Sequence, residues 1–423
     1  MFERAERGNR AVLLHPLFKD TGLEQLDEFQ ELCRSAGVEI VTVLKAPRNR
    51  PDARFFVGSG KINEVAEQVA ATCADLIVVS QPLSAIQERN IEKRCECRVL
   101  DRTTLILDIF AQRARSHEGK LQVELAQLEY TRPRLKRMWS HLSRIEGGIG
   151  TRGPGEKQLE VDKRLLSKKV LALKKRLEQV TRRRESQAKS RKEHTTVSLV
   201  GYTNSGKSTL MNRLTEAGVL VEDKLFATLD TKTSICDLGN GKRVILSDTV
   251  GFIRKLPHHL ISSFEATLEE VIWADFLLHV VDVSSSDVIE QVKAVNNVLK
   301  ELKCNKKPLI MVLNKVDALK DSSIITFFQS KYDNVVTISA LTGNGLEKLK
   351  QEMARFANRG VTEVRLECNA SNGKLLAYIY EHSQVLKRTF VNSGVNFHIM
   401  INEKNLSKLY QLGEGHFKVT QLS

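Results

Sequence analysis

Short apolar blocks and amphipathic stretches alternate over the first 110 residues. Blocks rich in β-branched and aliphatic residues predict strands at 11–14, 40–43, 76–79 and 98–100, and helical periodicity predicts helices near 22–36, 61–72, 83–94 and 102–114. Strands that alternate with helices favour a parallel sheet covered by helices. We therefore predict a small parallel α/β domain over residues 1–111.

Two leucine-rich patterns follow, one on each side of a glycine cluster. The first runs from Leu121 to Leu142 and the second from Leu166 to Val180, both in alternating steps of four and three residues. This spacing predicts a long antiparallel helical hairpin over residues 112–193, in which Pro133 should kink or end the first helix. Five glycines and a proline between Gly147 and Glu156 predict a helix-free loop at the tip, longer than such a connection needs.

The remaining pattern predicts two more domains. A compact α/β pattern that begins at Thr196 indicates a domain over residues 194–358. Beyond it, a strand at 364–366, a helix at 374–383, two strands around the turn at 392–394 and a helix from Glu403 indicate a small α+β domain over residues 359–423. The fold class is thus a multidomain α/β protein with a small α+β domain at its end.

Composition agrees with a folded protein of several domains. The chain has 423 residues, 41% of them hydrophobic and 27% charged, which excludes a disordered or collagen-like protein. Its seven scattered cysteines predict reduced thiols. A charged N-terminus and the absence of any run of eighteen apolar residues predict a protein without a signal peptide or transmembrane segment. We expect a cytoplasmic monomer, with partial association with membranes left open.

Positive charge is concentrated in the predicted hairpin. The net charge of the chain is +14, and residues 112–193 hold 23 lysines and arginines against 10 acidic residues. Solvated helices would carry acidic residues in near-equal number, so this excess favours a polyanionic partner, and RNA is the partner we predict.

A phosphate-binding loop follows the apolar strand at 197–200. The loop matches the pattern G-x4-G-K-S between a strand and a helix, and its members are Gly201, Tyr202, Thr203, Asn204, Ser205, Gly206, Lys207 and Ser208. In such loops backbone N–H groups surround the phosphates, the lysine neutralises them and the serine hydroxyl coordinates Mg²⁺. We predict Mg²⁺ as cofactor, with Ser208 as a ligand.

Two later motifs indicate guanine as the base. The first consists of Asn314, Lys315, Val316 and Asp317, in which the Asp317 carboxylate can accept hydrogen bonds from guanine N1–H and the exocyclic amine. The second consists of Ser339, Ala340 and Leu341, placed to donate a backbone N–H to guanine O6. Adenine lacks this pair of donors, so the substrate is predicted to be GTP.

Two segments between these motifs have the positions of the switches. The first comprises Phe226, Ala227, Thr228, Leu229 and Asp230, and the second comprises Asp248, Thr249, Val250 and Gly251. Thr228 is the candidate second Mg²⁺ ligand, with Thr231 and Thr233 as competitors. Phe252 stands where many GTPases have a water-positioning glutamine, so the catalytic residue stays unknown and hydrolysis by the protein alone is predicted to be slow.

These motifs together resemble the HflX family of ribosome-associated GTPases over nearly the whole chain. The resemblance rests on Gly153 to Glu156 ahead of Gln158 to Glu160, on the phosphate-binding loop, on both switches with Phe252 and Ile253, and on 314–317. It implies that the N-terminal domain and hairpin enter the large ribosomal subunit near its peptidyl transferase region, where they would contact rRNA. It also implies GTP-dependent splitting of stalled ribosomes under stress.

Other functions are weighed against this one. A subunit-assembly GTPase would share every guanine motif, whereas a metabolic kinase would lack them. Membrane remodelling is disfavoured because the basic helices have only a narrow apolar seam. The segment Gly58 to Lys61 looks like half of a phosphate-binding loop, and we interpret it as a glycine turn that opens a helix; ATP binding by this domain is left open.

Overall fold

The computed structural model describes residues 9–18, 24–134, 154–190, 195–215, 218, 225–239, 242–254, 265–319, 321–358, 361–369, 372–391, 394–412 and 417–422. These residues form three sheets of four, six and four strands. Thirteen α-helices accompany them in the described part of the chain.

The N-terminal sheet is parallel, as predicted. Its elements are β1 (Arg10–Leu17), α1 (Glu24–Ser35), β2 (Glu39–Pro47), α2 (Ser59–Thr72), β3 (Leu76–Val79), α3 (Ala85–Cys95), β4 (Arg98–Asp101) and α4 (Arg102–Arg113), with the strand order β2-β1-β3-β4. Residues 11–14 and 76–79 are buried because helices cover both faces of the sheet, which explains their continuous hydrophobicity. Helix α2 begins at Ser59 with Gly58 as its N-cap, so the segment Gly58 to Lys61 does open a helix. Lys61 Nζ donates to Glu64 of the same helix at 2.8 Å.

Two helices form the described part of the basic segment, α5 (His117–Thr131) and α6 (Pro154–Ser190). Leu121 and Leu125 of α5 are buried against Val170 and Leu173 of α6, as the predicted seam requires. Ion pairs flank the seam at 2.6 Å between Lys169 and Glu124 and at 2.8 Å between Lys174 and Glu129.

The ends of these helices test the two proline predictions. Helix α5 ends at Thr131, two residues before Pro133, in agreement with the predicted break. The prediction of a helix-free loop over 147–156 is wrong for its last three residues, because α6 begins at Pro154. Proline favours the first position of a helix, where its missing N–H costs nothing. The predicted seam residues Leu135, Trp139 and Leu142, and the tip residues 147–153, lie outside the described residues.

The third domain contains the largest sheet. Its elements are β5 (Thr195–Gly201), α7 (Lys207–Leu214), β6 (Lys232–Gly239), β7 (Lys242–Asp248), α8 (Glu265–Trp273), β8 (Phe276–Asp282), α9 (Val288–Glu301), β9 (Leu309–Asn314), α10 (Ser323–Lys331), β10 (Val335–Thr337) and α11 (Leu346–Ala357). The strand order is β10-β9-β8-β5-β7-β6, with only β6 antiparallel among these strands. The motifs therefore follow parallel strands β5, β7 and β9 at one edge of the sheet.

The C-terminal sheet is antiparallel. Its elements are β11 (Val361–Asn369), α12 (Gly373–His382), β12 (Ser383–Val391), β13 (Gly394–Asn402), α13 (Glu403–Leu412) and β14 (Phe417–Leu422), in the strand order β12-β13-β11-β14. The sequence pattern missed β14, which pairs with β11. The predicted fold class is confirmed, while the domain boundaries after 111, 193 and 358 stay predictions.

The N-terminal domain packs directly on the third domain. One hydrophobic cluster contains Phe29 and Phe110 from the former and Phe226, Phe252 and Leu268 from the latter. The predicted first switch therefore lies in a core that both domains share.

Candidate functional site

The loop between β5 and α7 has the close backbone approach that its glycines predict. Gly206 has φ +90°, and a Cβ atom there would lie 2.3 Å from Nδ2 of Asn314. A Cβ atom on Gly251 would lie 2.8 Å from Cα of Thr203. Larger residues at these two positions would push the switch and the base-side motif away from the loop.

A cavity of about 370 Å³ lies at this edge of the sheet. It is lined by fifteen of the predicted site residues and by Thr209, which the sequence reasoning missed: Thr203, Asn204, Gly206, Lys207, Ser208, Thr209, Phe226, Ala227, Thr228, Thr249, Gly251, Asn314, Lys315, Asp317, Ala340 and Leu341. Thr209 directly follows the loop motif, so the strict pattern had excluded it. All five predicted segments, namely the phosphate-binding loop, both switches and both guanine motifs, thus meet at one cavity.

The other predicted residues do not line the cavity. They are Gly201, Tyr202, Ser205, Leu229, Asp230, Asp248, Val250, Val316 and Ser339. Several of them support the lining instead: the Ser205 carbonyl accepts from Asn314 Nδ2 at 2.9 Å, and Asp248 accepts from Ser208. The binding roles assigned to all these residues stay predictions.

Lys207 is buried at the floor of the cavity. Its Nζ donates to the carbonyl of Tyr202 at 2.7 Å and to that of Gly201 at 3.2 Å. Burial lowers the pKa of Lys207 to about 8, although the Asp248 carboxylate opposes this shift. An ammonium held by carbonyl dipoles in a buried site attracts a polyphosphate strongly because water screens it little.

Ser208, Thr228 and Asp248 meet at one point. The Ser208 hydroxyl donates to Asp248 Oδ2 at 2.6 Å and lies 2.8 Å from the Thr228 hydroxyl. Thr231 and Thr233 do not line the cavity, and Thr233 is exposed on β6. Thr228 is therefore the switch threonine that the structure brings next to Ser208.

The donor set suits Mg²⁺. Asp248 is fully buried, and its Oδ1 has no hydrogen-bond partner among the described residues. Burial raises the pKa of Asp248, and the nearby Lys207 ammonium lowers it. Hydroxyl and carboxylate oxygens are the ligands that Mg²⁺ prefers, and a cation here would compensate the buried carboxylate. Ser208 and Thr228 would hold the ion, with Asp248 behind them.

Asn314 joins the two halves of the site. Besides its bond to Ser205, its Oδ1 accepts from the backbone N–H of Ala340 at 2.9 Å. The phosphate-binding loop and the segment 339–341 are therefore held together by one amide side chain. Lys315, at φ +64°, forms an ion pair with Asp282 at 2.7 Å, and Asp317 lies beside it on the cavity wall.

Phe252 is not available to the cavity. Its ring is 1% exposed in the core shared by the two domains, and it is absent from the cavity lining. Its backbone is also fixed, because Phe252 N donates to Gly201 O at 3.1 Å and Thr203 N donates to Phe252 O at 2.7 Å.

A polar network behind the loop was not predicted. The Tyr202 hydroxyl donates to Glu28 of α1, and Arg102 of α4 donates to Glu28 at 2.6 Å and to the carbonyl of Arg254 at 3.2 Å. Arg254 N in turn donates to the Tyr202 hydroxyl at 2.9 Å. Glu28 and Tyr202 are 174 positions apart, so no local pattern could reveal the contact.

Comparison with known proteins identifies four family profiles along the chain. They are a GTP-binding GTPase N-terminal domain at residues 23–111, a GTP-binding GTPase middle region at 113–191, a 50S ribosome-binding GTPase at 196–315 and an HflX C-terminal domain at 326–421. GTPase HflX of Escherichia coli K12 is 47% identical over 93% of both chains.

The chain belongs to the HflX GTPase family. GTPase HflX of Caldanaerobacter subterraneus subsp. tengcongensis is 42% identical over 94% of this chain and 92% of its own. Among solved structures, SsGBP in complex with GDP is 26% identical, covers 83% of this chain and 99% of its own, and gives a TM-score of 0.49. The family resemblance predicted from the motifs is confirmed, and the protein is a GTPase with a ribosome-binding type of GTPase domain.

Among the described residues, no helix is both long and apolar enough to cross a bilayer.

Proposed function

We propose that this HflX-family GTPase binds the large ribosomal subunit through its basic hairpin and splits stalled ribosomes under stress, with GTP bound at the cavity. The observation that carries the proposal is the charge of the hairpin. Lys168, Lys175, Arg176 and Arg182 are exposed along α6, outside its buried seam residues Val170 and Leu173. Exposed cations in such a row match the spaced phosphates of folded RNA.

The nucleotide site has the parts that a GTP-dependent switch needs. We propose that Lys207 contacts the phosphates, Ser208 and Thr228 hold Mg²⁺, and Asp317 reads guanine. Glycine at 251 suits a position that senses the terminal phosphate, because Lys207 Nζ would lie 3.1 Å from a Cβ atom there. When bound, Mg²⁺ neutralises charge on the phosphates.

The proposed function includes the binding partners of the protein and its location in the cell. A large ribosomal subunit and its rRNA are the expected partners, and the protein acts as a cytoplasmic monomer. A subunit-assembly GTPase is the alternative, because it would use the same cavity and the same basic surface on precursor particles.

Sedimentation separates these functions. The full-length protein is mixed with intact ribosomes, mature large subunits or precursor large subunits, with a non-hydrolysable GTP analogue or GDP. We expect cosedimentation with mature subunits in the analogue and conversion of intact ribosomes into subunits on a sucrose gradient. Preference for precursors with no conversion of ribosomes would replace this function by assembly.

A hairpin variant tests splitting apart from nucleotide binding. Replacement of residues 147–155 by a short Gly-Ser turn should leave affinity for GTP unchanged, because the cavity is formed after residue 196. The same protein should no longer convert ribosomes into subunits. Splitting at the parental rate would show that this segment only connects the two helices.

A further inference from the structure

The carboxylate of Asp230 contacts the start of α5. It accepts hydrogen bonds from the backbone N–H groups of Arg115 and Ser116 at 2.9 Å and 2.8 Å, and from the Ser116 hydroxyl at 2.5 Å. Ser116 is the N-cap of α5, so the carboxylate also lies at the positive end of the helix dipole. A residue of the first switch is therefore fixed to the first helix of the basic hairpin.

Gly119 makes room for this contact. A Cβ atom at Gly119 would lie 2.3 Å from Oδ1 of Asp230. Glycine inside a helix is normally destabilising relative to alanine. The glycine in the first turn of α5 thus allows Asp230 to approach the helix.

The other end of the switch is fixed to the N-terminal domain. The rings of Phe226 and Phe110 meet edge to face, with centroids 4.8 Å apart. Phe226 is buried although its φ is +57°, a conformation that bulky residues adopt only when their surroundings impose it. The N–H of Leu225 also donates to the Ser35 hydroxyl of α1 at 3.1 Å.

Thr228 lies between these two anchors, at Phe226 and Asp230. Its hydroxyl is 2.8 Å from that of Ser208. We propose that Asp230 is a positioning residue, which through Ser116 and Gly119 holds Thr228 at the Mg²⁺ site and thereby couples the bound nucleotide to helix α5. The coupling rests on the proposed role of Thr228 as Mg²⁺ ligand.

The coupling acts in both directions. If GTP with Mg²⁺ favours the anchored switch more than GDP does, the anchored switch must favour GTP by the same free energy. Nucleotide exchange would then reach α5 without any contact between nucleotide and hairpin. A partner that displaces α5 from Asp230 would correspondingly lower the preference for GTP.

Gly119→Ala is the sharpest test, because alanine favours the helix and its Cβ atom would lie 2.3 Å from Oδ1 of Asp230 and 3.1 Å from Oγ of Ser116, the two side chains of the contact. We expect roughly a five- to tenfold loss of affinity for a non-hydrolysable GTP analogue with Mg²⁺, a typical size for coupling between sites, and less than a twofold change for GDP. Gly60→Ala is the matched control, since Gly60 lies in the first turn of α2 and nothing lies within 4 Å of a Cβ atom there.

Two further variants examine the chemistry of the contact. Asp230→Ala should reproduce the selective loss, and Ser116→Ala should reproduce part of it, because the backbone N–H groups of 115 and 116 still donate to Asp230. The double variant should be no worse than Asp230→Ala, because the Ser116 hydroxyl acts on the switch through Asp230. Asp321→Ala is the control for Asp230, since Asp321 accepts from Ser323 N and Oγ at the start of α10 in the same way.

Hydrogen exchange gives a readout in the helix itself. The amides of 115 and 116 should exchange more slowly with the GTP analogue than with GDP, and Asp230→Ala should abolish that difference. Thr228→Ala separates this inference from the site assignment. Selective loss in Thr228→Ala but not in Gly119→Ala overturns the coupling alone, whereas no selective loss in Thr228→Ala overturns the proposed Mg²⁺ ligand and the coupling with it.

Discussion

Asn314 shows how much of the site depends on single side chains. Its amide uses both ends, one on Ser205 of the phosphate-binding loop and one on the N–H of Ala340. The sequence motif placed Asn314 near guanine, yet only the structure shows that it bridges two loops. A base-side motif can therefore support the phosphate site as well.

Replacement of Asp317 by asparagine should change the base that is bound. The amide would present a donor towards the guanine amine, so affinity for GTP should fall by at least tenfold, while xanthosine triphosphate, which has a carbonyl there, should bind better. Competition of both nucleotides against a fluorescent analogue measures this change. Asp321→Asn is the control, as Asp321 is exposed four residues later. Unchanged affinity for GTP would remove Asp317 from the site.

Lys207 predicts a pH dependence of binding. Its pKa is lowered to about 8 in the nucleotide-free fold, and bound phosphates would raise it. Binding above pH 8 therefore takes up a proton, and affinity for GTP should fall as the pH rises through about 8, by at most tenfold per pH unit. Measurements of GTP affinity from pH 7 to 9 test this expectation. Lys207→Ala is the control, because its affinity should change with pH only as far as the nucleotide itself titrates. Parallel curves for the two proteins would contradict the expectation.

At the scale of elements, sequence patterns predicted a helix or strand correctly where neighbouring residues alone determine it. Pro133 was expected to end a helix and does, because its ring and missing N–H act within one turn. Pro154 was assigned to a helix-free loop, although the same properties suit the first turn of α6. Strand β14 was missed because its place is set by pairing with β11, about fifty residues earlier.

Reversal of charge on α6 should weaken ribosome binding over a broad range of conditions. Lys168→Glu, Lys175→Glu and Arg176→Glu combined replace three exposed cations outside the seam. Affinity should fall at least tenfold at low salt, and the slope of log affinity against log salt should become shallower because fewer counterions are released.

The control for that variant carries the same change of charge elsewhere. Lys300, Lys303 and Lys306 are exposed at and beyond the end of α9, and their replacement by glutamate should alter binding much less. Equal losses in both triple variants would mean that net charge, and not the hairpin, determines affinity.

At the scale of the whole molecule, residues from outside the third domain support the phosphate-binding loop and the first switch. Glu28 and Arg102 hold Tyr202 and the backbone of Arg254, while Phe110 and Ser116 contact the first switch. The sequence motifs identified the cavity because each motif is a short run of neighbouring residues that sequence alone can recognise. They could not locate these supporting contacts, since the residues that make them come from separate domains and have no spacing rule.

Hydrolysis should be slow in the isolated protein and faster with ribosomal particles. The usual water-positioning place holds Phe252, whose ring is buried in the shared core, so nothing at that position can orient water without movement of the second switch. Single-turnover assays with and without large subunits measure this difference.

Phe252→Gln sharpens that prediction. Because the side chain at 252 points into the core, glutamine should not accelerate hydrolysis by the isolated protein, and burying its unpaired amide should instead lower the melting temperature. Phe252→Leu keeps the site apolar and should cost less stability, with a similarly slow rate. A glutamine variant that hydrolyses GTP rapidly without ribosomes would show that position 252 reaches the nucleotide after all.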